Sequence, residues 1–149
     1  MQPKDRLIFA LDVPTLADAV RYAQWLDGHV GCFKVGLQLF ISEGPEVIRA
    51  IREHSSVDIF LDLKLHDIPA TVRSAVKSAV NHNVQYLTVH CSGGMEMLRA
   101  AKEGAQGSAL KLLGVTVLTS TGASEMAGAG SSSEAVPFAG LVLERTRMA

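Results

Sequence analysis

The sequence predicts an α/β fold. Five short apolar runs, rich in Val, Ile, Leu and Phe, are too short for helices and suit strands buried on both faces of a parallel sheet. They cover Leu7–Leu11, Cys32–Val35, Ile59–Leu65, Tyr86–Val89 and Leu112–Leu118. Their starts are 25, 27, 27 and 26 residues apart, and helical patterns lie between them. Such regular spacing is typical of a repeated strand–helix unit.

The helical segments carry recognisable start signals. Thr15 precedes an apolar pattern, with Asp18 at the spacing of a capping box, and Pro45 and Pro69 suit the first turn of a helix. The predicted helices run from Thr15 to Leu26, from Pro45 to about Arg52, from Pro69 to about Val80, from Gly94 to Gly104 and from Pro137 to Met148.

Strand–helix alternation fits either an open doubly wound sheet or a (β/α)₈ barrel. No G-x-G-x-x-G follows the first strand, which disfavours a dinucleotide-binding open sheet. Charged residues close several strands at their carboxyl ends, where barrel enzymes collect their active sites. A complete barrel needs roughly 250 residues. The 149 residues are therefore expected to form one domain, an incomplete (β/α)₈ barrel of about five units.

Composition narrows the function classes. The formal net charge is −1, so there is no basic field to attract nucleic acid. The apolar start of the chain is interrupted by Asp12 and does not resemble a signal peptide, and no apolar stretch is long enough to cross a membrane. Cys32 and Cys91 are predicted to be buried free thiols in a reducing compartment. We therefore expect a cytoplasmic protein.

A Gly/Ser-rich segment at about residues 121–136 is predicted to be a flexible loop between the fifth strand and the fifth helix. On a barrel it would lie on the catalytic face. A plain connection and a loop that closes over substrate remain equally open interpretations.

The stretch DIFLDLKLHDIPAT contains the most informative charges. Residues two apart on a strand share a face, so Asp62 and Lys64 are expected to point the same way, with Asp67 following where the strand gives way to a helix. Lys34 ends the second strand and Asp12 ends the first. Neighbouring strands of a barrel would bring these side chains together on one rim.

Each charge also has a purely structural interpretation. Asp67 could cap the following helix, and Asp62 with Lys64 could form an ion pair that only stabilises the fold. Asp12 could be a turn residue and Lys34 an isolated charge at a strand end. All four being structural on successive strand ends is much less probable than any one of them.

The remaining polar residues give weaker signals. We expect His66 and His90 to make structural hydrogen bonds. No set of His, Cys and carboxylate residues has convincing metal-ligand spacing, so no metal site is predicted.

Alternating lysines and carboxylates indicate a type of chemistry. A lysine beside a carboxylate keeps its proton, because the opposite charge favours the charged form. Such a lysine is a poor nucleophile but a well-placed acid for a developing carbanion. The pattern therefore favours proton delivery over acyl transfer.

At these residues the sequence resembles the orotidine 5′-phosphate decarboxylases. The segments that carry the resemblance are FALDV (Phe9–Val13), FKVGLQLF (Phe33–Phe40), DLKLHDIPATV (Asp62–Val72), TVHCSGG (Thr88–Gly94) and VTVLTS (Val115–Ser120). DLKLHDIP is a strong motif, and the others reinforce it through their order and spacing.

The resemblance implies the last step of UMP synthesis, in which orotidine 5′-phosphate loses carbon dioxide without a metal or an organic cofactor. It implies Lys64 as the proton donor to a vinyl carbanion, within a charged catalytic network of Lys34, Asp62, Lys64 and Asp67. Further substrate contacts implied by the resemblance are Asp12 and Lys34 at the ribose, together with Ile68, Thr71 and Thr119. It also implies a homodimer, because the aspartate matching Asp67 reaches the neighbouring subunit's site.

Two alternatives stay open. Magnesium-dependent sugar-phosphate decarboxylases of the same superfamily typically carry an acidic residue where Lys34 stands, so the lysine favours the orotidine branch. The family's phosphate-binding residues come from the last barrel strands, and positions matching them are not found in these 149 residues. An inactive fragment or remnant of the family is therefore the other alternative.

Overall fold

The computed structural model describes residues 2–120 and 138–149, and it contains a five-stranded parallel sheet. The strands are β1 (Ile8–Ala10), β2 (Cys32–Gly36), β3 (Asp58–Leu65), β4 (Tyr86–His90) and β5 (Lys111–Val115). The helices are α1 (Leu16–Leu26), α2 (Leu37–Glu43), α3 (Glu46–His54), α4 (Pro69–Asn81), α5 (Gly94–Ala105) and α6 (Phe138–Met148). Short 3₁₀ turns cover Pro3–Arg6 and Cys91–Gly93.

The strand order decides between the two predicted architectures. The strands lie in the order β1-β2-β3-β4-β5, and each pair is parallel. A doubly wound sheet reverses its strand order at a switch point, whereas the strands of a barrel follow one another without reversal. The described strands therefore form an arc of a (β/α)₈-type barrel, as the sequence predicts.

Two details differ from the sequence prediction. The sequence does not predict helix α2, because the apolar residues of this segment form no single stripe. In the structure, Leu37 and Ile41 of this helix are exposed. Strand β5 ends at Val115 rather than Leu118. Val115 pairs with His90, the last residue of β4, and the chain then turns away into a 3₁₀ turn, so β4 offers no partner beyond that point.

The core lies between the sheet and its helices. Phe33, Val35, Ile59, Leu61 and Leu87 alternate along three neighbouring strands and are almost completely buried against the helices. Lys34, Asp62 and Thr88 are direct neighbours of these residues along the strands and belong to the opposite face of the sheet. That face corresponds to the interior of a barrel. The strand register therefore directs the polar side chains away from the apolar core.

The cap of α1 and the two cysteines agree with the sequence prediction. Thr15 accepts a hydrogen bond from the Asp18 N–H at 3.2 Å and caps α1. Cys32 and Cys91 are both buried and carry free thiols. The predicted loop at 121–136 lies outside the described residues. Within the described part of the chain, no helix is long and apolar enough to cross a membrane.

Helices α4 and α5 pack closely at Gly104. A Cβ atom at this position would lie 2.7 Å from the Arg73 carbonyl oxygen and 3.0 Å from the Val76 Cβ. We predict that Gly104→Ala lowers the free energy of unfolding by about 1–3 kcal/mol, because overpacking outweighs the roughly 1 kcal/mol that alanine gains in helix propensity.

Urea unfolding measures this change, with Lys102→Ala at an exposed position of the same helix as the control. Equal or greater stability of Gly104→Ala would show that the helices can separate without cost.

Candidate active site

Four charged residues meet at the carboxyl end of the strands. Asp12 follows β1, Lys34 lies in β2, and Asp62 and Lys64 lie in β3. The ladder pairs Ala10 with Lys34 and Gly36 with Asp62, so neighbouring strands bring these positions to the same edge. The edge is the one on which (β/α)₈ enzymes build their sites.

Asp62 is the centre of this group. One of its carboxylate oxygens, Oδ1, lies 2.8 Å from Lys64 Nζ, and the other, Oδ2, lies 3.9 Å from Lys34 Nζ. Lys34 Nζ also donates to Asp12 Oδ1 at 3.0 Å. The result is a continuous line of alternating charge, Asp12–Lys34–Asp62–Lys64, which we call the charge chain.

The charge chain is partly removed from solvent. The side chain of Asp62 is 17% exposed and that of Lys34 is 21% exposed, whereas Asp12 at one end is 69% exposed. Charges in such a place cost free energy unless they are paired, and here each inner charge has an opposite charge on both sides. The structure confirms that these four residues converge, as the sequence predicts.

Strand β3 does not keep regular alternation at this point. Leu61 pairs with Leu87 and Leu65 with Val89, so three residues of β3 stand opposite the single residue Thr88 of β4. Lys64 has φ +49°, in the left-handed region that non-glycine residues rarely adopt. The prediction that Asp62 and Lys64 meet is correct, but simple strand alternation is the wrong reason for it.

Thr88 was not identified from the sequence. Its hydroxyl donates to Asp62 Oδ1 at 3.0 Å and accepts from the Lys64 backbone N–H at 2.8 Å. Thr88 opens the resemblance segment TVHCSGG, but one hydroxyl within the apolar run YLTVH does not by itself indicate a role in the site.

Asp67 does not join the charge chain within this polypeptide. It is exposed, and its Oδ1 accepts a hydrogen bond from the Ile68 N–H at 2.6 Å. The expectation that strand neighbours alone would bring it to the lysines is wrong, because it lies beyond the end of β3 in the turn before α4. It does not cap that helix either: the N-cap residue is Ile68, and no side chain provides a cap.

Three further residues are predicted to contact the substrate. Ile68 and Thr71 lie at the start of α4, and Thr119 lies in the turn region after β5; all three are exposed. Their predicted roles toward substrate stay predictions.

His66 and His90 form a pair beside Lys64. Their rings stack with centroids 5.2 Å apart and planes inclined by 21°. His90 Nδ1 lies 2.8 Å from Ser92 Oγ, which is the structural hydrogen bond expected for this residue. Partial burial, followed by the nearby positive groups of His66, Arg145 and Lys64, lowers the pKa of His90 below its ordinary value of 6.5.

The described residues do not bring potential metal ligands together. In residues 2–120 and 138–149, no group of three or more His, Cys, Asp or Glu side chains is arranged to hold a metal ion.

Most of the chain matches a known protein family. Residues 5–139 match the model of the orotidine 5′-phosphate decarboxylase / HUMPS family, which is most of the chain. The chain belongs to this family. The motifs that carry the charge chain, FALD, FKVG and DLKLHD, lie within the matched region.

Named relatives agree with the family match. The chain is 47% identical over 149 residues to an orotidine 5′-phosphate decarboxylase of Desulfosudis oleivorans, covering 99% of this chain and 59% of the relative. It is also 47% identical over 130 residues to the enzyme of that name from Anaeromyxobacter sp. strain K, covering 87% of this chain and 56% of the relative. The chain thus spans a little over half the length of these relatives.

Solved structures resemble the fold. A crystal structure of orotidine 5′-phosphate decarboxylase from Lactobacillus acidophilus superposes with a TM-score of 0.78 at 33% identity, covering 95% of this chain and 65% of that one. The Methanocaldococcus jannaschii enzyme, complexed with the inhibitor BMP, gives a TM-score of 0.70 at 29% identity, covering 78% and 53%. The five described strands therefore correspond to part of a complete barrel.

Removing the central carboxylate charge should destabilise the fold. Asp62→Asn leaves Lys34 and Lys64 close together without the charge that separates them, and we expect the free energy of unfolding to fall by about 1–3 kcal/mol. Glu96→Gln, which removes an exposed carboxylate paired with Arg99, is the matched control and should change stability by less than about 0.5 kcal/mol. Urea unfolding at low ionic strength compares the two, and equal effects would mean that Asp62 contributes no more than a surface charge.

His90 should make stability depend on pH. Its pKa is lower in the folded chain than in the unfolded chain, so the unfolded state binds more protons as the pH falls through about 6.5. The lowered pKa of His90 therefore leaves the free energy of unfolding unchanged at higher pH and decreases it as the pH falls below that value. We expect His90→Gln to lose less stability than the wild type between pH 8 and pH 5.5.

Denaturant unfolding at both pH values checks the prediction, and the imidazole NMR titration should have its midpoint below 6.5. Identical pH dependence in the two proteins, or a midpoint above the ordinary value, would contradict it.

Proposed function

We propose that the charge chain is the reacting centre of an orotidine 5′-phosphate decarboxylase. The observation that carries the proposal is the position of Asp62 between two lysine ammonium groups, 2.8 Å from one and 3.9 Å from the other. An ammonium group in this setting can deliver a proton to a carbanion. The family match and the relatives of that name support the choice of substrate.

The proposed reaction balances without a cofactor. The bond between the pyrimidine ring carbon and its carboxylate breaks, carbon dioxide leaves, and the electron pair stays on the ring carbon as a vinyl carbanion. The Lys64 ammonium transfers one proton to that carbon and gives UMP, and the neutral amine then regains a proton from solvent. The ordered charges lower the barrier because they are in place before the negative charge develops.

The other residues of the proposed site bind and orient the substrate. Lys34 and Asp12 are proposed to contact the ribose hydroxyls, with Ile68, Thr71 and Thr119 placed around the substrate on the same rim. We propose that Asp67 completes the site of a second subunit in a homodimer, which fits its exposed position outside the charge chain. The cytoplasm is the proposed location. No described residue is assigned to the phosphate.

One alternative is a magnesium-dependent sugar-phosphate decarboxylase of the same superfamily, since the name of the matched family is not confined to orotidine 5′-phosphate decarboxylase. The position of Lys34 disfavours it. Its ammonium group lies 3.0 Å from Asp12 and 3.9 Å from Asp62, so it already supplies positive charge between the carboxylates. A divalent cation there would be repelled by the lysine.

The decisive assay follows the absorbance of orotidine 5′-phosphate in the presence of the purified chain. We expect turnover that is unaffected by a chelator and that falls by at least about 10³-fold in Lys64→Ala, because the proton donor is lost. Lys77→Ala, which removes an exposed lysine of α4, is the matched control and should keep wild-type turnover.

Turnover that survives in Lys64→Ala would contradict the assignment of the proton donor. Turnover that requires magnesium would contradict the cofactor-free mechanism, and magnesium-dependent decarboxylation of a sugar phosphate in place of orotidine 5′-phosphate would favour the sugar-phosphate branch. No turnover by the folded wild-type chain would contradict the proposal that this polypeptide is a working decarboxylase.

A further inference from the structure

We infer that Thr88 is a positioning residue, whose hydroxyl fixes the Asp62 carboxylate and the Lys64 backbone relative to each other. This inference rests on the proposed function for its catalytic consequence, whereas its structural part stands on geometry alone. Neither the motifs nor the comparisons assign a role to this residue.

The interrupted ladder gives Thr88 its first task. Between the pairs Leu61–Leu87 and Leu65–Val89, strand β3 has two residues more than β4, so regular backbone pairing fails there. The backbone N–H of Lys64 falls in this gap and donates instead to Thr88 Oγ1 at 2.8 Å. The Thr88 hydroxyl thus takes the place of a backbone carbonyl as the acceptor for the Lys64 N–H. This donor is partly buried, and leaving it unpaired would cost free energy.

The backbone conformation of Lys64 shows why an anchor is needed. A left-handed φ is strained for a residue other than glycine, so it persists only where its surroundings enforce it. At Lys64 φ is +49°, and the hydrogen bond from its own N–H to Thr88 holds it at that turn. The conformation in turn places the ammonium group 2.8 Å from Asp62.

The same hydroxyl also orients the carboxylate. A threonine hydroxyl has one proton to give, and because it accepts from Lys64 N–H it is free to donate that proton to Asp62 Oδ1 at 3.0 Å. Oδ1 therefore receives Thr88 and Lys64 together, and Oδ2 is left toward Lys34. Thr88 is 5% exposed, so water does not compete readily for its hydroxyl.

Substitutions of Thr88 distinguish the effect of the hydroxyl from the effect of the methyl group. Thr88→Val keeps the shape and removes the hydroxyl, Thr88→Ser keeps the hydroxyl and removes the methyl group, and Thr88→Ala removes both. Thr146→Val, on the exposed face of α6, is the matched control.

The first readout is hydrogen exchange of the Lys64 amide in the 149-residue chain, with the Leu87 amide as an internal reference for the fold. We expect exchange at Lys64 to be at least about tenfold faster in Thr88→Val than in wild type, as the loss of one hydrogen bond implies. In Thr88→Ser the exchange rate of the Lys64 amide should stay within about threefold of the wild-type rate, a smaller change than the loss of one hydrogen bond would cause. If Thr88→Val does not fold, the Ser and Ala variants make the same comparison, because both lack the methyl group and only one has the hydroxyl.

The second readout is decarboxylation. We expect Thr88→Val to lower kcat by about 10–100-fold with little change in KM, since misplacement of reacting groups acts on the chemical step. Thr88→Ser should recover most of the loss.

The outcomes separate the two claims. Unchanged Lys64 exchange in Thr88→Val, or equal losses in the Ser and Ala variants, would overturn the positioning role. Absence of decarboxylation by the wild type would contradict the proposed function, while the exchange result would still decide the role of Thr88.

Discussion

The arrangement of the site depends on the Asp62 carboxylate lying between the ammonium groups of Lys34 and Lys64. Each lysine alone would be an unfavourable charge on a largely apolar strand, and together without the carboxylate they would repel each other. With it, positive and negative groups alternate from Asp12 to Lys64. Two lysine ammonium groups thus lie at one sheet edge on either side of a carboxylate, and the proposed chemistry rests on that placement.

The sheet makes this arrangement possible through its register and through one irregularity. Parallel pairing of β1, β2 and β3 aligns their carboxyl ends, and alternation sends the apolar residues to the helices. The break in the β3–β4 ladder then lets Lys64 leave the regular strand conformation. A fully regular strand would give a more stable ladder but would not combine this backbone turn with the threonine anchor. Local irregularity at a reacting group is common where function rather than stability sets the geometry.

The sequence predicts much of this architecture because periodic features determine it. The spacing of apolar runs identifies the five strands of the described residues, and start signals such as Thr15 and Pro69 identify the helices that follow. The convergence of Asp12, Lys34 and Asp62 also follows from strand order, whereas Lys64 meets Asp62 where the β3–β4 ladder is interrupted. Thr88 could not be found in this way, because its importance comes from a ladder irregularity that leaves no mark in composition. The prediction that Asp67 joins the lysines failed for a related reason, because strand geometry no longer determines side-chain positions once the chain enters the turn before α4.

The most direct test of the account is an NMR titration of the labelled 149-residue chain with UMP, the product of the proposed reaction. Binding at the rim should shift the backbone amides of Lys34, Asp62, Lys64 and Thr88, while Gly31 and Gln85 at the opposite end of the strands stay unchanged. Matching shifts at both ends, or saturable binding that leaves the charge chain unperturbed, would contradict the claim that this cluster is the nucleotide site.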